Sequence, residues 1–152
     1  MIGGGPGSFI GAVHRIAARI DDAYELVAGA FSSKPEKCLE TAKELGIGAE
    51  RAYGSWAELI EKEQALPEDQ RVEVIMITTP NHVHAGPTIA ALEAGFNVVL
   101  DKPLCTSMEE AEAIAKAVEN AKGLFCLTHT YTGYPMVKEA KQLIAKGTLG
   151  RT

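Results

Sequence analysis

Short runs of consecutive aliphatic residues alternate with longer stretches whose apolar residues recur every three or four positions, and this alternation limits the fold most. The runs are Leu26-Val27-Ala28-Gly29-Ala30-Phe31, Val72 to Thr79 around Val74-Ile75-Met76-Ile77, Asn97-Val98-Val99-Leu100, and Leu124-Phe125-Cys126-Leu127. A strand that is apolar on both faces needs cover on both, which an α/β layering around a parallel sheet supplies. Right-handed crossovers then favour a doubly wound, mostly parallel sheet. In such a sheet a ligand binds beyond the carboxyl ends of the strands, where the strand order reverses. At 152 residues the chain has room for one domain of this kind.

The helices between the runs have legible ends. Ala12, Val13, Ile16, Ala17 and Ile20 recur at helical spacing after a glycine-rich loop. Pro35 suits the first turn of a helix that reaches Leu45, and Gly46-Ile47-Gly48 closes it. Ala52-Tyr53 predicts a short strand, and Ser55 caps a helix carrying Trp56, Leu59 and Ile60. Val83 to Glu93 predicts a helix stopped by Gly95. Ser107, with Glu110 three residues on, reads as a capping box opening a helix from Met108 to Asn120, with Ala111, Ile114, Ala115 and Val118 on one side. Pro135 to Ala145 is a last helix. Trp56 and Tyr53 are expected to pack onto the sheet. Only Met1 and Ile2 precede the glycines, so the first strand is expected to be shortened or preceded by further residues.

The formal charge is −5, from 15 Lys and Arg against 20 Asp and Glu, and the cations are dispersed. A nucleic-acid backbone demands a basic face, so no nucleic-acid partner is expected. Cys38, Cys105 and Cys126 lack Cys-x-x-Cys spacing and predict reduced, mostly buried thiols in a cytoplasmic protein. No run has the length of a membrane span or the pattern of a secretion signal, so no membrane association is expected. His82 and His84, two positions apart at a helix start, do not face one another as a metal pair would, and no metal site is expected.

The loop before the first helix reads Gly3-Gly4-Gly5-Pro6-Gly7-Ser8-Phe9-Ile10-Gly11. A helix N-terminus offers an anion free N–H groups and a partial positive charge, and glycine lets the backbone come close to a phosphate. Gly3, Gly5, Gly7 and Gly11, with Pro6 among them, therefore suit a dinucleotide pyrophosphate. The spacing Gly5-x-Gly7-x-x-x-Gly11 is one residue longer than the usual pattern. Ser8 adds a hydroxyl donor for a phosphate, and Phe9 with Ile10 walls the cofactor. At the end of the second run, where an NAD-binding pattern has an acidic residue, stand Ser32-Ser33-Lys34, with Lys37 one helical turn on. Hydroxyls and cations accommodate a 2′-phosphate better than a carboxylate does, which favours NADP over NAD. The same residues also read as Ser33 capping the Pro35 helix beside solvated lysines.

Three later segments carry a family resemblance: Thr78-Thr79-Pro80-Asn81-His82-Val83-His84, the helix end Ala90-Ala91-Leu92-Glu93-Ala94-Gly95, and Val98-Val99-Leu100-Asp101-Lys102-Pro103-Leu104. Together they closely resemble the glucose–fructose oxidoreductase / inositol 2-dehydrogenase (Gfo/Idh/MocA) family, which has a T-P-N-x-x-H segment and an E-K-P segment at this separation. Gly11-Ala12-Val13-His14 is similar to that family's G-x-x-H, and Leu143 to Gly150 resembles its hinge. The resemblance implies a Rossmann-like dinucleotide-binding domain over 1–134. It implies a hinge helix over 135–152 leading into a C-terminal α/β domain that supplies substrate-binding residues and homo-oligomer contacts. The implied activity is hydride transfer between NADP or NAD and a CH–OH group of a sugar, cyclitol or related polyol. This chain alone is expected to bind dinucleotide weakly and turn over nothing.

Residue by residue, the resemblance places Thr79, Pro80 and Asn81, with Thr78 beside them, along the nicotinamide ribose and inner diphosphate, and has His84 brace their turn. Asp101 stands where the family usually has Glu and is assigned to the ribose. Lys102 is the residue nearest the chemistry, and the Lys102–Pro103 bond is expected to be cis. His129, Thr130 and Tyr131 fall on a segment facing the nicotinamide. An ammonium beside a developing carbonyl stabilises its charge and relays the proton. Apolar walls that partly desolvate a lysine help that relay, and Asp101 is expected to orient it. His14 is read as a hydrogen-bonded core or interface histidine. A non-catalytic NAD(P)-sensing module would keep the glycine loop without a substrate domain; the intact Asp101-Lys102-Pro103 turn favours the enzyme. A methyltransferase would want an acid at Ser32 or Ser33.

Overall fold

Ile75 and Ile77 alternate with Val74 and Met76, and the first pair is at most 1% exposed. In the computed structural model, which describes residues 1–150, this run is strand β2 (Val74–Thr78). It lies between β1 (Ile2–Gly3) and β3 (Asn97–Leu100), and β3 pairs in turn with β4 (Phe125–Leu127). All three pairings are parallel, with Ile2 opposite Ile77, Ile75 opposite Val98, and Val99 opposite Cys126. The helices are α1 (Phe9–Arg19), α2 (Pro35–Glu44), α3 (Trp56–Gln64), α4 (Ala85–Glu93), α5 (Met108–Asn120) and α6 (Pro135–Ala145).

The expected strand over Leu26–Phe31 is not a strand. It makes single parallel bridges, Ala30 to Ile2 and Gly29 to Ala52, and Ala52-Tyr53 likewise forms only its side of that bridge. The physical reason is the two-residue β1, too short to template a longer ladder beside it. Its backbone is nonetheless paired: Gly3 N–H donates to Ala30 O at 2.9 Å, and Tyr53 N–H to Gly29 O at 2.8 Å. Through these bridges the spatial order runs Ala52, Gly29–Ala30, β1, β2, β3, β4. The chain leaves β1 in one direction and returns on its other side at β2, so the order reverses there, as a doubly wound sheet requires.

Each face of the sheet has its own core. Ile75, Ile77, Val98 and Leu100 pack with Leu59, Ile60, Ala91, Leu92 and Phe96, and Trp56 packs against this cluster with Tyr53 inside it. On the other face Met1, Phe31, Cys38, Ala42 and Ile47 gather with Met76. Ser55 and Ser107 cap their helices as expected, their Oγ atoms accepting from Glu58 and Glu110 N–H, and Ser8, read only as a phosphate donor, caps α1 as well by accepting from Gly11 N–H. The reciprocal half of the Ser107 box is shifted by one residue, because the Glu110 carboxylate takes the N–H and hydroxyl of Thr106. Ser33 does not cap α2; Lys34 occupies that position, and Ser32 Oγ accepts from Lys34 N–H.

Three burial expectations change. On α1 the inward residues are Gly11 and His14, while Val13, Ile16 and Ile20 are 41%, 56% and 73% exposed. The close approach of Gly11 to the glycine loop, described below, sets that rotation. On α5 the inward line is Ile114, Ala117 and Ala121, with Val118 exposed. Of the thiols only Cys38 is buried; Cys126 is exposed and Cys105 half-buried.

Glu63, fully buried on α3, lies on the face that also carries Leu59 and Ile60. It accepts from Tyr53 Oη at 2.6 Å, Arg51 Nη2 at 2.9 Å and Val72 N–H at 3.0 Å. Replacing it by Leu strands a guanidinium, a phenol and an amide, and the urea-unfolding free energy is expected to fall by roughly 3–5 kcal/mol. Burial first, and then the hydrogen bond and charge of Glu63, push the Tyr53 phenol above its ordinary range. A phenol that keeps its proton longer folded than unfolded stabilises fully below about pH 10, and that contribution is lost as pH rises further. Wild type is therefore expected to lose more stability than Tyr53→Phe between pH 9 and 11, read from urea midpoints.

Candidate functional site

Every strand in this sheet points the same way, so the segments leaving β1, β2, β3 and β4 emerge along one rim. These are the glycine loop, Thr79-Pro80-Asn81, Asp101-Lys102-Pro103, and Thr128 to Tyr131. Because the strands are sequential neighbours, the turns are neighbours too.

The glycines of the loop serve different purposes. Gly3 takes φ +81°, and a Cβ there would meet Thr78 O at 2.8 Å, so it lets β1 pass close to β2. A Cβ on Gly5 would meet Phe31 O at 2.6 Å, and one on Gly11 would lie 2.4 Å from Gly4 Cα. Gly7, at φ +78°, faces open space. The loop is held by Ser8 N–H donating to Gly5 O at 3.0 Å and by Arg15 Nη1 donating to Gly4 O at 2.9 Å. Arg15, nearly two turns into α1, was not among the expected site residues. Ser8 Oγ accepts from Gly11 N–H at 3.2 Å, so its role as a helix cap leaves its own proton free for a ligand. Phe9 is 82% exposed and Ile10 half-buried, at the mouth of a cavity of about 400 Å³ lined by Gly5, Gly7, Ser8 and Arg15.

His84 is almost fully buried and ties two turns together: Nε2 lies 3.0 Å from Thr79 O and Nδ1 2.8 Å from Pro103 O. Both partners are carbonyls, so a neutral ring donates to one of them and only a doubly protonated ring to both. The Lys102–Pro103 peptide is cis. Thr78 is buried, its hydroxyl donating to Ile2 O at 3.3 Å, whereas Pro80 and Asn81 are exposed.

Asp101 behaves differently from expectation. Its Oδ1 accepts from Thr128 Oγ1 at 3.1 Å and lies 3.3 Å from His14 Nε2; among the described residues it forms no ion pair with Lys102. Lys102 itself is exposed, so the apolar walls expected around it are not supplied by residues 1–150. Thr128 and the His14–Asp101 link were missed; 87 positions separate that pair, and Thr128 carries no sequence signal. Thr130 and Tyr131 lie on a 3-10 turn, Thr130–Gly133, with Tyr131 68% exposed and edge-on to Tyr134. Ser32 is half-buried, and Ser33 and Lys37 are exposed, at the exit of the Gly29–Ala30 bridges on the loop's other flank.

The rim has the chemistry of an anion and ribose cradle. The N-terminus of α1 presents first-turn N–H groups without helical partners, beside a glycine with space where a Cβ would stand. Thr79 Oγ1, buried at the β2 exit, has no hydrogen-bond partner among the described residues. A larger cavity, about 650 Å³, lies at the opposite rim among Arg71, Gly95, Ala117 and Lys122. None of the candidate cofactor-binding or catalytic residues lines it. No helix among the described residues is long and apolar enough to cross a membrane.

A parallel doubly wound sheet with a glycine loop entering its first helix and two further turns on the same rim defines a Rossmann-type dinucleotide-binding protein. Residues 1–130 match the Gfo/Idh/MocA family, described as an oxidoreductase family with an NAD-binding Rossmann fold, and the chain belongs to it. The crystal structure of an inositol dehydrogenase homolog complexed with NAD+, from Azotobacter vinelandii, superposes with a TM-score of 0.90 at 39% identity over 99% of this chain and 38% of that one. Levoglucosan dehydrogenase of Pseudarthrobacter phenanthrenivorans is 32% identical over 99% of this chain and 37% of its own length. D-xylose 1-dehydrogenase (NADP(+)) of Hypocrea jecorina is 31% identical over 86% of this chain and 32% of its own. The chain thus spans under two-fifths of these relatives' length and comprises their NAD-binding part.

Proposed function

We propose that the whole protein is an NAD(P)-dependent dehydrogenase acting on a secondary alcohol of a sugar, cyclitol or related polyol, and that residues 1–134 grip the dinucleotide. The observation that carries this reading is the alignment of three turns, 3–11, 78–84 and 101–103, on the exits of adjacent parallel strands. Gly5, Pro6, Gly7, Ser8, Phe9 and Ile10 hold the pyrophosphate at the start of α1, with Gly3 shaping the approach. Thr78, Thr79, Pro80 and Asn81 line the nicotinamide side, and His84 keeps their turn against Pro103. Thr130 and Tyr131 close the far end. A nicotinamide held by these turns would supply the hydride donor or acceptor for the alcohol carbon. In the reducing direction the Lys102 ammonium donates a hydrogen bond to the carbonyl oxygen and gives it the proton as negative charge develops there; in the oxidising direction the neutral Lys102 amine takes the alcohol proton back.

The exposure of Lys102 supports a second part of the protein covering it. The exposed apolar residues of α6, Met136, Val137 and Ile144, support the reading of 135–152 as a hinge into that part, which also makes homo-oligomer contacts. Three free thiols support a reducing, cytoplasmic location.

The cofactor preference follows from Ser32, Ser33 and Lys37. No carboxylate stands in Ser32-Ser33-Lys34, and Lys34 and Lys37 are free to meet a 2′-phosphate, favouring NADP. Fluorescence titration of the full-length protein is expected to give a lower Kd for NADPH than for NADH. A preference for NADH of more than about tenfold, ~1.4 kcal/mol, contradicts this reading of the second exit, and no enhancement with either contradicts the dinucleotide site.

A further inference from the structure

Asp101 leaves β3 with its main chain still in the sheet, its N–H donating to Ile77 O at 3.0 Å. Its side chain is only 13% exposed and that of His14 only 9%. Thr128, just past β4, reaches both Asp101 Oδ1 at 3.1 Å and Leu100 O at 3.2 Å with one hydroxyl proton. Leu100 O already accepts the Thr128 N–H at 2.9 Å, so the proton goes to the carboxylate, where the bond is charge-assisted and stronger. His14 adds a second donor in the tautomer that carries its proton on Nε2. Asp101 Oδ1 is therefore clamped from two sides, by α1 and by the β4 exit, while Oδ2 takes no hydrogen bond among the described residues.

The clamp ties α1 directly to the 101–103 turn, which His84 also holds from the other side at Pro103 O. His14 follows Gly11, whose contact with Gly4 fixes the glycine loop; Asp101 precedes Lys102. We propose that His14 and Thr128 are positioning residues: by holding Oδ1 they fix the 101–103 turn, and with it the Lys102 backbone, relative to the loop. Oδ2 is left to meet a ribose hydroxyl. The catalytic consequence rests on the dehydrogenase reading; the mechanical one does not.

Hydrogen exchange on the ligand-free, full-length protein tests the clamp by itself. Thr128→Val, near-isosteric, and His14→Ala are each expected to speed exchange of the Asp101 amide, which donates to Ile77 O, by about tenfold or more, with β2 amides unchanged. Thr128→Ser is expected to restore the wild-type rate. With NAD(P) and a polyol such as myo-inositol, both loss variants are expected to lower kcat by about 10–100-fold, as a displaced catalytic group does, with KM and NADPH affinity within about threefold. Unchanged exchange in Thr128→Val and His14→Ala overturns the clamp, and so does a serine variant no better than valine. Altered exchange with an unchanged kcat, or a defect confined to KM, overturns the positioning role. Failure of wild type to bind either reduced dinucleotide removes the dehydrogenase reading and leaves the exchange result standing.

Discussion

Replacing Lys102 by Met in the full-length protein is expected to lower kcat about 10³-fold, ~4 kcal/mol of transition-state stabilisation, with dinucleotide Kd changed by less than about threefold. Methionine keeps the length and apolar stem of the side chain but has no charge and no proton to relay. The split between kcat and Kd follows from position: Lys102 stands past the β3 exit, away from the loop assigned to the pyrophosphate. Stopped-flow hydride transfer alongside fluorescence titration checks it. Turnover within about tenfold of wild type removes Lys102 from the chemistry.

Gly11→Ala and Gly7→Ala are expected to weaken dinucleotide binding equally but for different structural reasons. A Cβ on Gly11 lies 2.4 Å from Gly4 Cα, backbone that cannot rotate away, so α1 or the loop has to move. Stability is expected to drop by roughly 3 kcal/mol, and dinucleotide affinity more than about tenfold, because the N-terminus of α1 moves with the loop. A Cβ on Gly7 touches nothing within 4 Å, and its cost is the φ of +78°, about 1–2 kcal/mol. Its affinity loss is nonetheless expected to match that of Gly11→Ala, because the proposed pyrophosphate site takes in that open space. Urea titration and NADPH titration of both variants separate the two causes. If Gly7→Ala binds as wild type does, the pyrophosphate is not held there.

Local signals in this chain were easily read. Continuous aliphatic runs mark β2, β3 and β4, and Ser55 and Ser107 cap their helices because a short side-chain oxygen beside an orphan N–H needs no tertiary context. What failed depended on neighbours. The Leu26–Phe31 run has strand composition, but its partner β1 has two residues, and a strand is made by its ladder. The apolar stripe of α1 faces outward because the Gly11–Gly4 contact rotates the helix, and a backbone-to-backbone approach leaves no trace in side-chain hydrophobicity. Glu63 is buried among the donors of Arg51, Tyr53 and Val72, none of which is its neighbour in the chain. At the site, the turn-forming residues were legible and the partners of Asp101 were not, since His14 and Thr128 meet it only through the winding of the sheet.

In the proposed complex one dinucleotide spans the carboxyl rim of this sheet. Amide chemical-shift mapping of the ¹⁵N-labelled chain during titration with NADP+ tests it residue by residue. The shifts are expected to concentrate at residues 3–11, 78–84 and 101–105, with Gly95 and Lys122 at the opposite rim unmoved. Shifts gathered around Arg71, Gly95 and Lys122, or confined to one of the three turns, would contradict it.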